Sequence, residues 1–358
     1  MKRILFLLLA ICFLLTGCVK QQIVDRISLF MVCAMDEAPN EQIELTMAMP
    51  KFQAGKPGAV SNLLQSKVGH TAKTIKDLMD MQVDRPINSG KLSVLLYGKD
   101  LAAKGLAINL DVALRDAQIS RRMYLAIVDG NAKELLQANF SSDAEKGIFL
   151  YNLLDTNVRS GLVPRQTLHE FEYAYLGKGM DPFLPLLKLQ NNQVMIAGLA
   201  LFKDDKYVMA LNEKQMRLMK LLLGKVKEGV LEAKLDDGSY AALQDVGSNV
   251  SYHVSKQTKP PKITINLSLS GELIESRGLR FPMEAKQRIK DRYEKDLTAN
   301  GMGLIQLFKE AGIDPLGLGD FVRSKTRNWH EDEWKKEYRT VDVKLHVKVK
   351  LREMGIRK

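Results

Sequence analysis

The chain has 358 residues, of which 53 are lysine or arginine and 42 aspartate or glutamate, for a formal net charge of +11 and a hydrophobic share of 46%. This composition excludes a disordered or fibrous chain, and the length exceeds what one core usually holds, pointing to two or three domains. Three cysteines exclude a disulfide-rich scaffold.

The chain opens on Lys2 and Arg3, an apolar run from Ile4 to Leu15, and then Leu15-Thr16-Gly17-Cys18. A permanent span needs about 20 apolar residues to cross roughly 30 Å of hydrocarbon, so this shorter run reads as a secretory signal. A leucine, two small residues and an immediate cysteine form a lipobox. Cleavage between Gly17 and Cys18 is expected, with a diacylglycerol on the Cys18 sulfur. Two acyl chains exceed the marginal anchoring that a single chain provides. Cys12 leaves with the signal and Cys18 is spent on lipid, so Cys33 has no internal disulfide partner and reads as a small core residue. Without Lys2 and Arg3 the charge is about +9. The basic residues are interleaved with acids, without the aromatic-studded stripe of a nucleic-acid surface, so nucleic acid is not an expected partner. Anionic head groups, wall polymers or simple solubility account for the charge.

After a lipid-proximal linker (18–26), Ile27 to Met35 and Ile43 to Met49 read as a hairpin around 36–40. A helix over Thr71 to Met81 follows, then a strand over Leu92 to Tyr97, a helical stretch from Leu101 to Leu114 broken near Gly105, a strand over Met123 to Val128 and a helix over Asn131 to Ala138. The helical crossover predicts parallel placement of the strands at 92 and 123. Between 144 and 189 the glycines at 177 and 179 and the prolines at 182 and 185 mark irregular backbone. Val194 to Phe202 and Tyr207 to Leu211 form another hairpin, giving a small middle unit over 151–212 between an N-terminal α/β-type domain (27–150) and a C-terminal α+β domain (213–358).

In that last domain Leu231 to Leu235 and Tyr240 to Leu243 turn at Asp237-Gly238. Ile263, Ile265, Leu267 and Leu269 alternate with polar residues, as do Val343, Leu345, Val347, Val349 and Leu351, whose neighbours Lys344, His346, Lys348, Lys350 and Arg352 make a cationic face. A helix from about Met283 carries Ile289, Tyr293 and Leu297 on one stripe, with Leu304, Ile305 and Phe308 continuing after Asn300-Gly301. An antiparallel sheet with helices on one face is expected. The fold class is thus α+β, multi-domain, each unit a mostly antiparallel or mixed sheet with helices packed on it.

No chemistry is legible in the residues. The histidines at 70, 169, 253, 330 and 346 lie far apart without zinc-site spacing, so no metal is expected. His330-Glu331-Asp332-Glu333, between Trp329 and Trp334, reads as a solvated, turn-like loop. The glycine pairs at 301/303 and 317/319 lack the context of phosphate-binding loops, so no cofactor is expected, and no catalytic residue stands out.

The end of the chain is the most distinctive part. Gly312-Ile313-Asp314-Pro315-Leu316-Gly317-Leu318-Gly319 leads to Trp329, Trp334, Tyr338 and the alternating strand closing at Arg352-Glu353-Met354-Gly355. This order resembles the spore germination protein C family, the lipoprotein C subunit of nutrient germinant receptors. Asp314, Gly317, Gly319, Trp329, Trp334, Arg352 and Gly355 fall on the family motif, and the two tryptophans read as packing anchors. Gly98-Lys99-Asp100-Leu101 after the strand at 92, Arg115-Asp116, and Gly198 to Phe202 agree with the family's layout. Val19-Lys20 stands where family members usually carry Trp-Asp, and Lys91 where many carry histidine. The resemblance implies a non-enzymatic lipoprotein on the outer face of the spore's inner membrane, working with the receptor's A and B membrane subunits in germination. The rival is a solute-binding lipoprotein of a transporter, which needs two doubly wound lobes.

Overall fold

The computed structural model describes residues 26–52, 60–140, 145–226, 229–255, 258–277 and 285–352. Gly17, Cys18 and Gly355, and with them the signal, the lipobox and the end of the family motif, lie outside the described residues.

The first half is built on one eight-stranded mixed sheet. β1 (Ser28–Leu29) pairs in parallel with the short β5 (Ile87–Asn88). β2 (Val32–Ala38) and β3 (Gln42–Phe52) form the expected antiparallel hairpin, which β4 (Val60–Gly69) extends to the sheet edge. On the other side of β2 lie β6 (Val94–Gly98), β7 (Tyr124–Val128) and β8 (Phe183–Gln190), all parallel, then the antiparallel hairpin of β9 (Gln193–Lys203) and β10 (Lys206–Asn212). The β6–β7 pair is parallel, as the helical crossover requires. That crossover is α2 (Lys99–Lys104) and α3 (Ala107–Arg115), separated at Gly105, whose φ is +124°. With α1 (Ala72–Asp80) they cover one face; α4 (Ala132–Gln137) and α5 (Lys146–Arg159) cover the other.

The middle unit expected over 151–212 has no sheet of its own. It supplies the second part of α5, α6 (Leu168–Leu176) and strands β8 to β10, which continue the first domain's sheet. β8 lies where the prolines suggested irregular backbone. Its ladder with β7 joins only Leu186 and Leu187 to Ile127 and Val128, so Pro185 sits outside it, where a missing N–H breaks no rung with β7.

The second half carries a four-stranded sheet ordered β11 (Leu231–Lys234), β12 (Tyr240–Ser255), β13 (Lys262–Arg277) and β14 (Val343–Arg352). The expectation of an antiparallel sheet fails at β13–β14, which run parallel. Three helices between them, α8 (Lys286–Ala311), α9 (Leu318–Lys325) and α10 (Glu331–Glu337), return the chain to the end from which β13 started. The alternation of β14 is complete: Val343, Leu345, Val347, Val349 and Leu351 are buried and the five residues between and after them exposed. α8 runs through Asn300-Gly301 unbroken, and Gly301 is small because the Leu345 side chain of β14 occupies the place of a Cβ. The segment 330–333, expected as a loop, is the start of α10: three acidic residues in its first turn suit the helix dipole, and Trp334 is its buried anchor.

The halves share one apolar cluster. Phe183, Leu199, Leu201 and Leu211, on one face of the β8–β10 strands, pack with Met216, Met219 and Leu222 of α7 (Glu213–Leu223), and these with Ile263, Ile265 and Phe308. The β8–β9 register shifts at Leu186/Leu187, where Gly198 has φ +154° and its missing side chain admits the Leu211 carbonyl. Gly198→Ala should therefore destabilise by more than about 2 kcal/mol, read as a lower denaturant midpoint at unchanged slope; an unchanged midpoint would show that the bulge relaxes freely.

Candidate functional site: the joint between the halves

The motif residues converge on a buried contact between the first half and the loop linking α8 to α9. α8 stops at Gly312, whose φ of +69° ends the helix in a left-handed residue, and the chain turns through Asp314 toward Gly317, φ +66°, which precedes α9. Asp314 is 4% exposed. Its carboxylate accepts the Leu318 N–H at 2.9 Å on one oxygen and the Gly319 N–H at 2.7 Å on the other, while its carbonyl accepts the Gly317 N–H at 3.1 Å. The aspartate thus builds the turn and satisfies the first free amides of α9.

The first half meets this turn with Asp181, which is 5% exposed and stands just before β8. The two aspartates bond reciprocally: the Asp314 N–H donates to Asp181 Oδ2 at 2.7 Å, and the Asp181 N–H donates to the Asp314 carbonyl at 2.9 Å. From the β9–β10 turn, the Asp204 N–H donates to Asp181 Oδ1 at 3.1 Å and Lys203 Nζ lies 3.1 Å from Oδ2. One step out, the Asp320 N–H donates to the Gly179 carbonyl at 2.8 Å. Gly179 has φ +74°, and a Cβ there would stand 2.6 Å from the carbonyl carbon of Gly319. A Cβ on Gly319 would in turn meet the indole nitrogen of Trp334. Both glycines therefore permit backbone-to-backbone approach under the Trp334 ring, which tilts against Tyr338 at 5.7 Å.

Burial, helped by Asp181 and opposed by the Gly319 and Leu318 amides and by Lys203, pushes the Asp314 carboxyl up to about 7. Burial also pushes the hydroxyls of Tyr252 and Tyr338 well above their ordinary range, helped by Asp314. The two tyrosines are thereby held neutral in a packed wall. The cluster contains carboxylates, amides and one lysine, but no pairing of a nucleophile with a base, and among the described residues no group of three or more His, Cys, Asp or Glu could hold a metal ion.

Of the motif residues, Asp314, Gly317, Gly319 and Trp334 meet at this joint. Trp329 packs beside the second core, its indole N–H buried without a partner among the described residues. Arg352 stands apart, at the end of β14 opposite Glu272 of β13. Asp181 and Lys203 are the partners sequence reasoning missed; the signal was the glycine pair at 177 and 179 followed by an aspartate, a pattern of tight backbone beside an acceptor.

Residues 20–189 match the family described as "Spore germination protein N-terminal domain", and residues 197–355 the one described as "Spore germination B3/ GerAC like, C-terminal". The chain belongs to the spore germination protein C family. Relatives extend along its full length: it is 28% identical to "Spore germination protein GerQC" of Bacillus cereus, covering 99% of each chain, and 24% identical to "Spore germination protein A3" of Bacillus subtilis (strain 168), covering 99% of this chain and 98% of the relative. The structure titled "Crystal Structure of the GerBC protein" shares the fold at a TM-score of 0.55 and 19% identity, covering 90% of this chain and 97% of that one. In this chain the turn from Asp314 to Gly319 joins the two halves beside their shared apolar cluster.

Two consequences are measurable. Asp314 has a folded-state value above its unfolded one, so the stability it contributes is complete below about pH 4 and is lost as pH rises through about 7. Chemical denaturation across that window should show the native chain losing stability relative to Asp314→Asn, whose amide does not titrate; a constant difference would contradict the assignment. Gly179→Ala should cost about 2 kcal/mol or more without touching a charge, and the two halves should then unfold in separable transitions.

Proposed function

We propose that the chain is the lipid-anchored, non-enzymatic subunit of a nutrient germinant receptor, tethered through Cys18 to the outer face of the spore's inner membrane and acting with the receptor's A and B membrane subunits. The observation that carries this reading is the full-length match to germination proteins combined with the lipobox Leu15-Thr16-Gly17-Cys18. No described helix is long and apolar enough to cross a membrane, so attachment in this reading falls to the acylated cysteine. A joint made of self-satisfied carboxylates suits a subunit whose work is assembly. The rival reading, a solute-binding lipoprotein, finds no support in the topology: parallel strands with helices on both faces occur in the first half, while the four-stranded sheet of the second half contains a single parallel pair.

Cys18→Ala should leave the protein out of the membrane fraction and without lipid by mass spectrometry; retention of the unacylated variant would refute the anchor. Deletion of the gene should abolish nutrient-triggered germination, and the lipidated chain should co-purify from detergent with two multi-span proteins. Normal germination accompanied by a transport defect would favour the rival.

A further inference from the structure

Under the helical layer of the first domain lies a half-open cavity of about 320 Å³, remote in sequence from the joint. Its floor is the sheet, through Cys33 and Met35 of β2, Leu45 and Met47 of β3 and Leu95 of β6. Its sides are α1 and α3, with Ile27 and Phe30 from the residues flanking β1. Close-packed interiors do not keep voids of this size between well-matched side chains, because wall atoms facing a gap forgo their dispersion contacts. An apolar cavity of about 150 Å³ already accepts benzene, so this one has room for roughly a dozen carbons. Cys33, Met35 and Met47 supply soft, adaptable walls. Burial and the nearby Asp36 hold the Cys33 thiol protonated, which makes it part of the wall and not a nucleophile.

The polar groups on the rim bond to one another. Ser89 Oγ donates to Asp116 Oδ2 at 3.2 Å, the Gln118 N–H to Asp116 Oδ1 at 2.9 Å, and Lys76 Nζ to Asp80 Oδ2 at 2.7 Å. The Asn88 side-chain oxygen accepts the Gly90 N–H at 2.8 Å. The floor therefore presents hydrocarbon and sulfur to an occupant, while the polar groups stand at the rim. Lys73 at the rim is mostly exposed, and its ion pair with Asp77 is long at 3.6 Å.

We propose that this cavity binds one alkyl chain, inserted between α1 and α3 onto the Met35/Met47 floor, with an anionic head group at Lys73. A free fatty acid and a membrane phospholipid both have this chemistry. The inference rests on the cavity alone and stands apart from the receptor reading.

The test uses the full chain in vesicles of phosphatidylethanolamine and phosphatidylglycerol, with two photoreactive probes: dodecanoic acid carrying a mid-chain diazirine, and a phospholipid carrying the same acyl group. After irradiation, peptide mass spectrometry should place adducts on the peptides containing Met35, Met47 and Leu95, and excess unlabelled dodecanoate should remove them. Labelling by the fatty acid alone identifies a free carboxylate ligand; labelling by the phospholipid identifies a membrane lipid. Ala113→Trp, which fills the cavity from α3, should reduce these adducts to background, and Cys33→Phe, which fills it from the floor, serves if the first variant does not fold by circular dichroism. Adducts confined to residues outside the cavity, or unchanged in a folded filled variant, would overturn the proposal. Since no step depends on germination, a germination defect without cavity labelling refutes only the alkyl site, and labelling without a germination defect refutes only the receptor role.

Discussion

Two carboxylates buried against each other, Asp181 and Asp314, impose the constraint on which the arrangement of the halves depends. Burying such groups is costly unless their lone pairs are met and their charge is balanced; Lys203, 37% exposed, pairs with Asp181, and Lys335 adds positive charge from farther off. The remaining compensation comes from backbone amides: Leu318 and Gly319 for one aspartate, Asp204 and Asp314 for the other. Those amides come from two places, the α8–α9 turn and the β9–β10 turn, and Asp181 itself stands at the start of β8. The start of β8, the β9–β10 turn and the α8–α9 loop must therefore all be correctly placed before the joint is satisfied, which makes it a device for specificity of arrangement as much as for stability.

This constraint explains why the hairpin of β9 and β10 belongs to both halves. Its Ala200 and Phe202 pack on the first core, and its Leu199, Leu201 and Leu211 on the second. The two family matches divide at residues 189 and 197, inside the β8–β9 hairpin, whereas the sheet runs through that point without interruption. The division in sequence and the division in structure are different things here. A middle unit looked plausible because the chain between 144 and 189 carries turn residues, yet its strands bury their faces only by joining the neighbouring sheet.

What the sequence made legible was local. The strict alternation of β14, the β2–β3 hairpin, the break at Gly105 and the parallel β6–β7 pair all follow from period, turn chemistry or crossover length, which act over a few residues. α7 was legible and overlooked: Asn212 and Gln215 form a capping box ahead of the buried Met216, Met219 and Leu222. Strand direction at β13–β14 carries no local mark, because apolar alternation is the same for parallel and antiparallel neighbours. Asp181 could not be read as Asp314's partner, since 133 residues separate them. Asp314, Gly317 and Gly319 were recognised by their pattern, while what they do emerges only from what touches them. The cavity is still less local, its lining drawn from strands, helices and loops between Ile27 and Ile119.

Among the described residues stability comes without a disulfide, Cys33 being free and buried. The long α8 shows how packing and hydrogen bonding compensate. Tyr293 is buried, and its hydroxyl lies 2.8 Å from the Leu231 carbonyl and 2.7 Å from that of Ala241, tying the helix to β11 and β12. Beside it, Glu294 reaches the other edge and accepts the Val349 N–H of β14 at 2.9 Å. An edge strand with open amides and an apolar inner face would pair with other chains, and here a carboxylate occupies one of those amides while lysines line the outer face. Two consecutive helix residues therefore bind opposite margins of one sheet, and the motif's aspartate turn follows directly from the end of that helix. The placement of the joint is thus inherited from the register of α8 on its sheet, and a small residue at Gly301, under Leu345, is what lets the helix lie close enough to set it.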